Sequence, residues 1–429
     1  MKIVVTTGGT LGDIVPFCAI ANVLSGRGHD VVVATSPDYQ VLVESLGLRF
    51  AKVGESFRAL IETPLGRAWN STESSSVYMK LTRELLVPLM AATTADMRGA
   101  VMDADLVLFH PFNLGAYHTA EARGIKAVLL AMVPWAVSGE IEPVFVPGAP
   151  RIAWLRRVLT KAMFGSFCDL FREGHDAHRA SIGLSPFREK NYFAEILAKG
   201  VPLLHLFSPS LVPRPSDWPK GAEVMGFCDL IGQDADFVPS AELTRFLDEG
   251  DPPLYVGFGS TTGDKPEALN PIVFGALERL GRRAIVAGGW CGLGNDGSPT
   301  PSEGRRANKN VFQIPYVPHT WLFPRVSAVV HHGSTGSLAA GLKAGRPTLV
   351  IPFFGDQGFW GTRAFASGVG PRPVRRRGLT AKRFATALDN VTGDPRYREA
   401  AAMLAGKLAA EDGASSTVAY VEKFVGIKK

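Results

Sequence analysis

No run of about 18 apolar residues occurs anywhere in the chain, so no segment reads as a membrane-spanning helix. Cysteine is scarce: Cys18, Cys168, Cys228 and Cys291 are scattered over 429 residues and form no C-x-x-C pair. That excludes a disulfide framework and a cysteine zinc knuckle, and favours reduced, buried thiols in a cytoplasmic protein. Dense positive charge is also missing. A net charge of +6 is mild for this length, and the only basic run, Arg375-Arg376-Arg377, reads as a solvated loop. With no zinc-finger spacing and no RNA-binding aromatic signature, nucleic acid is not expected as a partner. There is no G-x-S-x-G elbow for a serine hydrolase. Gly292-Leu293-Gly294-Asn295-Asp296-Gly297 spells G-x-G-x-x-G, but Ser298-Pro299-Thr300-Pro301 follows and cannot open a helix, so a dinucleotide site is excluded. His175 and His178 stand three apart without a third ligand and are expected to be a surface pair, with metal: none.

What is present is alternation. Lys2–Thr7, Asp30–Thr35, Leu106–Phe109 and Lys126–Ala131 read as strands, with helices over Ile14–Ser25 and Leu114–Arg123. Pro16 is expected in the first turn of its helix, where a missing N–H costs nothing. Pro209, Pro213, Pro215 and Pro219 then interrupt the pattern, and it restarts with strands at Leu254–Phe258, Arg283–Ala287, Val311–Ile314, Ala328–His331 and Thr348–Ile351 and helices at Pro271–Leu280 and Ser337–Ala344. Strands alternating with helices predict parallel sheets covered on both faces. The expectation is an α/β fold of two Rossmann-like domains with parallel sheets facing a central cleft. Its divisions are an acceptor-binding domain 1–208, a Pro-rich linker 209–221, a nucleotide-sugar domain 222–410, and a helix 411–429 returning to the first domain. Within the first domain, Ile152–Phe171 is amphipathic, with Arg156, Arg157 and Lys161 among its apolar residues. It reads as a core-facing helix, as the wall of an apolar pocket, or as a peripheral membrane contact.

The chemistry concentrates in His331-His332-Gly333-Ser334-Thr335-Gly336-Ser337 and Pro352-Phe353-Phe354-Gly355-Asp356-Gln357. A strand ending at the histidines and turning through small residues into a helix exposes N–H groups at the positive end of the helix dipole, an anion site suited to a diphosphate. Asp356 beside Gln357 offers a carboxylate and an amide to neighbouring sugar hydroxyls. The segment contains no phosphate loop of the G-x-x-x-x-G-K type.

These motifs resemble those of family 1 glycosyltransferases with the two-Rossmann glycosyltransferase-B fold, in particular the sterol glucosyltransferase branch and its bacterial antibiotic-tailoring relatives. The resemblance rests on His331 to Gly361 with its Phe359-Trp360-Gly361, on Pro318 to Pro324, on Leu254 to Ser260 and on Gly12-Asp13-Ile14-Val15-Pro16. It implies an inverting, metal-independent transfer of a hexose from a nucleotide-diphosphate sugar, UDP-glucose first, to a hydroxyl of a hydrophobic acceptor such as a sterol. A polyketide aglycone with a UDP- or TDP-sugar, and a nucleotide-sugar epimerase, are the alternatives. No cofactor is implied beyond the donor. Asp13 is implied as the base, although a helix-capping role is its simpler reading. Thr10, Gly12, Ser260, Tyr316, Val317, His319, His332, Ser334, Gly336, Ser337, Asp356 and Gln357 are implied at the donor, and Phe109, Phe112 and Trp135 at the acceptor. The chain departs from the branch at Ser334 for glycine, Ser337 for threonine, Thr10-Leu11 for Ser-Arg, and Ala340 for the acidic residue of plant relatives.

Overall fold

The computed structural model describes residues 1–72, 74–146, 148–230, 232, 237–261, 266–294 and 304–427. The chain forms two compact units. The first comprises Met1–Trp69, Ser74–Ile231 and Glu411–Lys429; the second comprises Asn70–Glu73 and Gly232–Ala410.

The first unit holds a seven-stranded sheet of β1 (Lys2–Thr6), β2 (Asp30–Thr35), β3 (Arg49–Lys52), β4 (Leu106–Phe109), β5 (Lys126–Ala131), β6 (Leu203–His205) and β7 (Ala222–Val224), in the order β3-β2-β1-β4-β5-β6-β7. Every pairing is parallel. Ile3-Val4-Val5 and Leu106-Val107-Leu108-Phe109 are buried throughout, as a sheet covered on both faces demands. The Pro-rich segment 209–221, expected between the domains, lies inside this unit and connects β6 to β7. Arg214 pins it by donating to the carbonyls of Ala222, Pro215 and Pro219.

The first helix spans Leu11–Gly26 and so begins before the expected Ile14. Pro16 therefore sits inside it, not in its first turn, and leaves the Gly12 carbonyl without an intrahelical donor. Helix Gly413–Val425 packs on this helix, placing Val418 and Val421 in one core with Phe17, Ile20 and Leu24. Each valine so buried stabilises by about 1.5–3 kcal/mol. Arg27 and His29 reach Glu422 across the same contact at 2.5 and 3.4 Å.

The second unit holds β8 (Leu254–Gly257), β9 (Ala284–Ala287), β10 (Arg305–Asn308), β11 (Val311–Ile314), β12 (Ala328–His331) and β13 (Thr348–Val350), in the order β10-β11-β9-β8-β12-β13. Only β10, paired with β11, runs antiparallel among the described strands. The Gly292–Gly297 run is only partly visible, since residues 295–303 lie outside the described residues.

The amphipathic helix is longer than expected, 29 residues over Ala153–Ser181. Phe164, Phe167, Cys168, Phe171, His175 and Arg179 face the core, while Ile152, Trp154 and Val158 near its start are exposed. His175 is thus not at the surface as expected. The reason is a third histidine contributed by another helix: His118 Nε2 lies 3.3 Å from His175 Nδ1, and Arg179 bridges His118 Nδ1 at 3.2 Å and Glu121 at 2.6 Å. The guanidinium donates, so His118 presents Nδ1 as acceptor and donates through Nε2.

Burial, followed by the cations around it, pushes His175 from 6.5 down to about 3. His118 is also held well below its ordinary value, by burial and then by His175 and Arg179. Below pH 6.5 the unfolded chain binds protons that the folded chain refuses. Stability is therefore full above that pH and is lost as pH falls, by about 1.4 kcal/mol per unit for each such histidine. Thermal melts should be flat from pH 8 to 7 and drop steeply toward pH 5. A midpoint unchanged between pH 7 and 5 would contradict neutral burial of this cluster.

Candidate functional site

In the first sheet the strand order reverses between β1 and β4, and the connections after these strands leave in opposite directions. Such a switch point opens a crevice at the carboxyl ends of the strands. The loop after β1 runs from Thr7 into the helix that carries Asp13. The loop after β4 runs from His110 to Asn113. Asn113 Nδ2 donates to Thr6 Oγ1 at 2.7 Å and His110 N to Thr6 O at 3.0 Å, which locks the two loops together.

Asp13 is not the helix cap. Thr10 is the cap, and Asp13, three residues on, closes a capping box with it. Asp13 Oδ2 accepts from Thr10 N at 2.8 Å and Thr10 Oγ1 at 3.1 Å, while Oδ1 has no partner among the described residues. Gly9, at φ +127°, makes room for the carboxylate: a Cβ there would stand 2.4 Å from Oδ2. Desolvation raises the Asp13 pKa, and the Thr10 bonds only partly offset it. A half-buried carboxylate of raised pKa with one free oxygen is a competent general base. Thr10 and Gly12 serve this box first, Thr10 by its side chain and Gly12 by lying in the first turn.

The three expected acceptor residues separate. Phe112 is 47% exposed and meets Phe167 and Phe171 edge-on. Phe109 is fully buried and stacked on Tyr117, so it belongs to the core because β4 is covered on both faces. Trp135 is buried among Phe164, Phe167 and Phe193, with its Nε1 unpaired among the described residues.

The second sheet reverses between β8 and β12. At the end of β12, His331 is structural: its Nε2 lies 3.0 Å from Thr348 Oγ1 and its Nδ1 accepts from Gly333 N at 3.0 Å. His332 is free to act. Its Nδ1 is buried without a partner among the described residues, and burial pushes the ring down to about 3, so it is neutral. Gly259, beside Ser260 at the end of β8, is required by this ring, since a Cβ there would stand 2.7 Å from His332 Cε1. Gly333, at φ +102°, similarly lets the backbone of Gln357 approach, to 2.8 Å from where a Cβ would be.

Helix Thr335–Lys343 starts two residues before the expected Ser337, because Ser334 is its cap and accepts from Ser337 N at 3.4 Å. Gly336 lies exposed in the first turn, and a methyl group added there would meet no atom within 4 Å. Open space, two uncapped N–H groups and an unpaired buried imidazole nitrogen together make an anion site.

The remaining expected residues divide between contact surface and scaffold. Gln357 Oε1 accepts from Phe353 N at 2.7 Å and Phe354 N at 3.2 Å, and its amide nitrogen has no partner among the described residues. Asp356 Oδ2 accepts from Trp360 Nε1 at 2.8 Å, so its structural partner includes an indole. Tyr316, just after β11, is 61% exposed, whereas Val317 beside it is buried. His319 is scaffold: its Nε2 lies 3.3 Å from the Tyr255 hydroxyl and its ring stacks on Phe323. Sequence reasoning passed over His110 and Gly259. A polar residue closing an apolar strand run was the available signal for the first. The second shows only in three dimensions. Among the described residues no group of three or more His, Cys, Asp or Glu is placed to hold a metal ion.

Two family models match the chain: the glycosyltransferase family 28 N-terminal domain over residues 3–140, and the erythromycin biosynthesis protein CIII-like C-terminal domain over 301–423. A sterol 3-beta-glucosyltransferase of Arabidopsis thaliana is 33% identical, over 97% of this chain and 64% of that protein. A second from the same plant is 32% identical, over 97% and 67%. One from Emericella nidulans is 28% identical, over 97% and 29%. Among solved structures, the glycosyltransferase of kitacinnamycin has a TM-score of 0.70 at 17% identity, covering 98% of both chains. The calicheamicin glycosyltransferase CalG4 has the same TM-score and identity over 99% and 98%. At that identity these two speak to the fold alone. Two Rossmann-like units in one chain, matched over nearly their full length by these glycosyltransferases, define the glycosyltransferase-B fold. The chain belongs to the family 1 glycosyltransferases, which its sterol 3-beta-glucosyltransferase relatives share. It spans 64% of the length of the first of these relatives and 29% of the Emericella nidulans protein.

Gly336→Ala tests the anion site cleanly. The added methyl fits the empty helix start, so the melting temperature should hold or rise slightly. It occupies the space an anion needs, so calorimetry should show affinity for UDP falling by about tenfold or more, the scale of a lost hydrogen bond to a charged group. Unchanged UDP affinity would place the diphosphate elsewhere.

Proposed function

We propose that the protein transfers glucose from UDP-glucose to the hydroxyl of a sterol, with inversion at the anomeric carbon and without a metal ion. In this reading the first unit takes the acceptor and the second takes the nucleotide sugar. Asp13 removes the acceptor proton, and the acceptor oxygen bonds to the anomeric carbon. The bond from that carbon to the diphosphate breaks, and the departing diphosphate carries the electron pair and the new negative charge. The N–H groups of Thr335 and Gly336, the Ser337 hydroxyl and His332 receive that charge. Tyr316 stacks on the base and the Val317 backbone reads its edge. Ser260 approaches the phosphates, and the Gln357 amide with Asp356 holds sugar hydroxyls. Thr10 and His319 act through the groups they support.

The observation that carries this reading is the unpaired Nδ1 of buried His332 beside the open start of a helix. A polyketide or antibiotic aglycone is the second reading, favoured by the fold of the solved neighbours, but the higher identity to sterol enzymes puts the sterol first. Exposed Ile152, Trp154 and Val158, with Arg151 and Lys161 beside them, suit peripheral contact with an anionic bilayer, where a sterol would be met.

Mass spectrometry of cholesterol incubated with UDP-glucose should show one added hexose, and the product should form equally in EDTA. Chelator inhibition rescued by magnesium or manganese would refute the metal-free account. A new sugar nucleotide formed without acceptor would indicate an epimerase. Asp13→Asn should lower turnover by roughly 100-fold while leaving UDP-glucose affinity nearly intact. Normal turnover in that variant would reduce Asp13 to its role in the capping box.

A further inference from the structure

We propose that His110 donates a hydrogen bond to the acceptor oxygen whose proton Asp13 removes. The inference rests on the reading of Asp13 as the base and adds a second catalytic residue on the first unit.

His110 stands at the carboxyl end of β4, beside the end of β1, at the switch point where Asp13 opens its helix. Its ring meets Phe17 edge-on at 5.7 Å, and Phe17 lies four residues after Asp13, one turn along the same helix face. The other side of the ring stacks on Phe112 at 5.4 Å, the half-exposed aromatic of this region.

The tautomer follows from the backbone. Phe112 N donates to His110 Nδ1 at 3.3 Å, so Nδ1 carries no proton and Nε2 does. The residue is only 6% exposed, and its Nε2–H, which has no protein partner among the described residues, is the nitrogen left open to solvent. A fixed donor that opens outward from an otherwise buried ring is held in place by its neighbours and is available to a ligand's acceptor. Burial also pushes this imidazole down to about 3, so the ring remains neutral across the working range. It cannot serve as the base at Nε2, which is already protonated.

The two groups are complementary. Ionised Asp13 only accepts, and His110 Nε2–H only donates. A hydroxyl does both, and it satisfies the pair in one geometry: its proton to Asp13 Oδ1, its lone pair to His110. The second lone pair then remains for bonding to the sugar. Phe112 beside the ring supplies an apolar face, so the group recognised is a hydroxyl on an apolar skeleton.

The test reads binding, not turnover, with three probes of one skeleton: 5α-cholestan-3β-ol, 5α-cholestan-3-one and 5α-cholestane. The ketone keeps the bond from His110 and loses the one to Asp13; the hydrocarbon loses both. The wild type should bind the ketone about 5- to 10-fold more tightly than cholestane, the scale of one hydrogen bond. His110→Phe keeps the ring contacts, and His110→Asn keeps an acceptor for Phe112 N. Both lack a donor at the Nε2 position, and both should bring the ratio to about one with melting temperatures near wild type. His110→Gln, whose amide reaches that position, should restore part of it. Asp13→Asn, whose amide can only add a donor toward the ketone, should not lower the ratio, so a failure of the Asp13 reading, seen in its turnover, is distinguishable from a failure here. A wild type without preference for the ketone, or a preference that His110→Asn retains, overturns the proposal.

Discussion

Both units depend on one constraint: two parallel neighbours, β1 with β4 and β8 with β12, whose following segments must cross to opposite ends of the sheet. A right-handed crossover puts those segments on opposite faces, so nothing covers the strand ends between them. Two loops have to pass side by side there, and the close approach selects for residues without a Cβ. Gly9 yields to a carboxylate and Gly259 to an imidazole. The residues with chemistry stand where the sheet cannot be closed, and glycines beside them set how near they come.

The two switch points are opposite in electrical character, and neither relies on a formal positive charge. In the first unit desolvation raises a carboxyl, strengthening it as a proton acceptor. In the second it keeps His332 unprotonated, so the start of the following helix offers peptide dipoles beside a neutral ring. Dipoles of this kind are fixed before any ligand arrives and need no reorganisation when charge develops. The same burial that costs folding energy sharpens both groups.

Much of this was legible in the sequence, because parallel strands buried on both faces read as continuous apolar runs and the β-α alternation is regular. Strands β1, β4, β8 and β12 appear almost residue for residue. The short strands β3, β6 and β7 were not visible: Arg49–Lys52 is half polar, and β7 follows a proline-dense stretch that resembles a linker more than a strand connection. Helix starts were misjudged by two or three residues wherever a hydroxyl caps the end, at Thr10 and at Ser334. Ser334 also shows why a departure from the family pattern is tolerated, since its hydroxyl takes the N–H of Ser337. The motif residues were found, but not which of them are already committed to neighbours. Adjacent histidines look equivalent in sequence, and only coordinates separate a tethered His331 from an available His332. The burial of His175 escaped because its partner His118 lies 57 residues away.

The helix Gly413–Val425 belongs to the core of the first unit, yet it is synthesised after the whole second unit. During translation, Phe17, Ile20 and Leu24 therefore wait, uncovered on that face, while residues 232–410 emerge. Apart from Asn70–Glu73, the second unit is one continuous stretch, whereas the first is a discontinuous body whose core is complete only when this helix docks. In the nascent chain the first unit would be the slower to complete its core, although its sheet is made before that of the second.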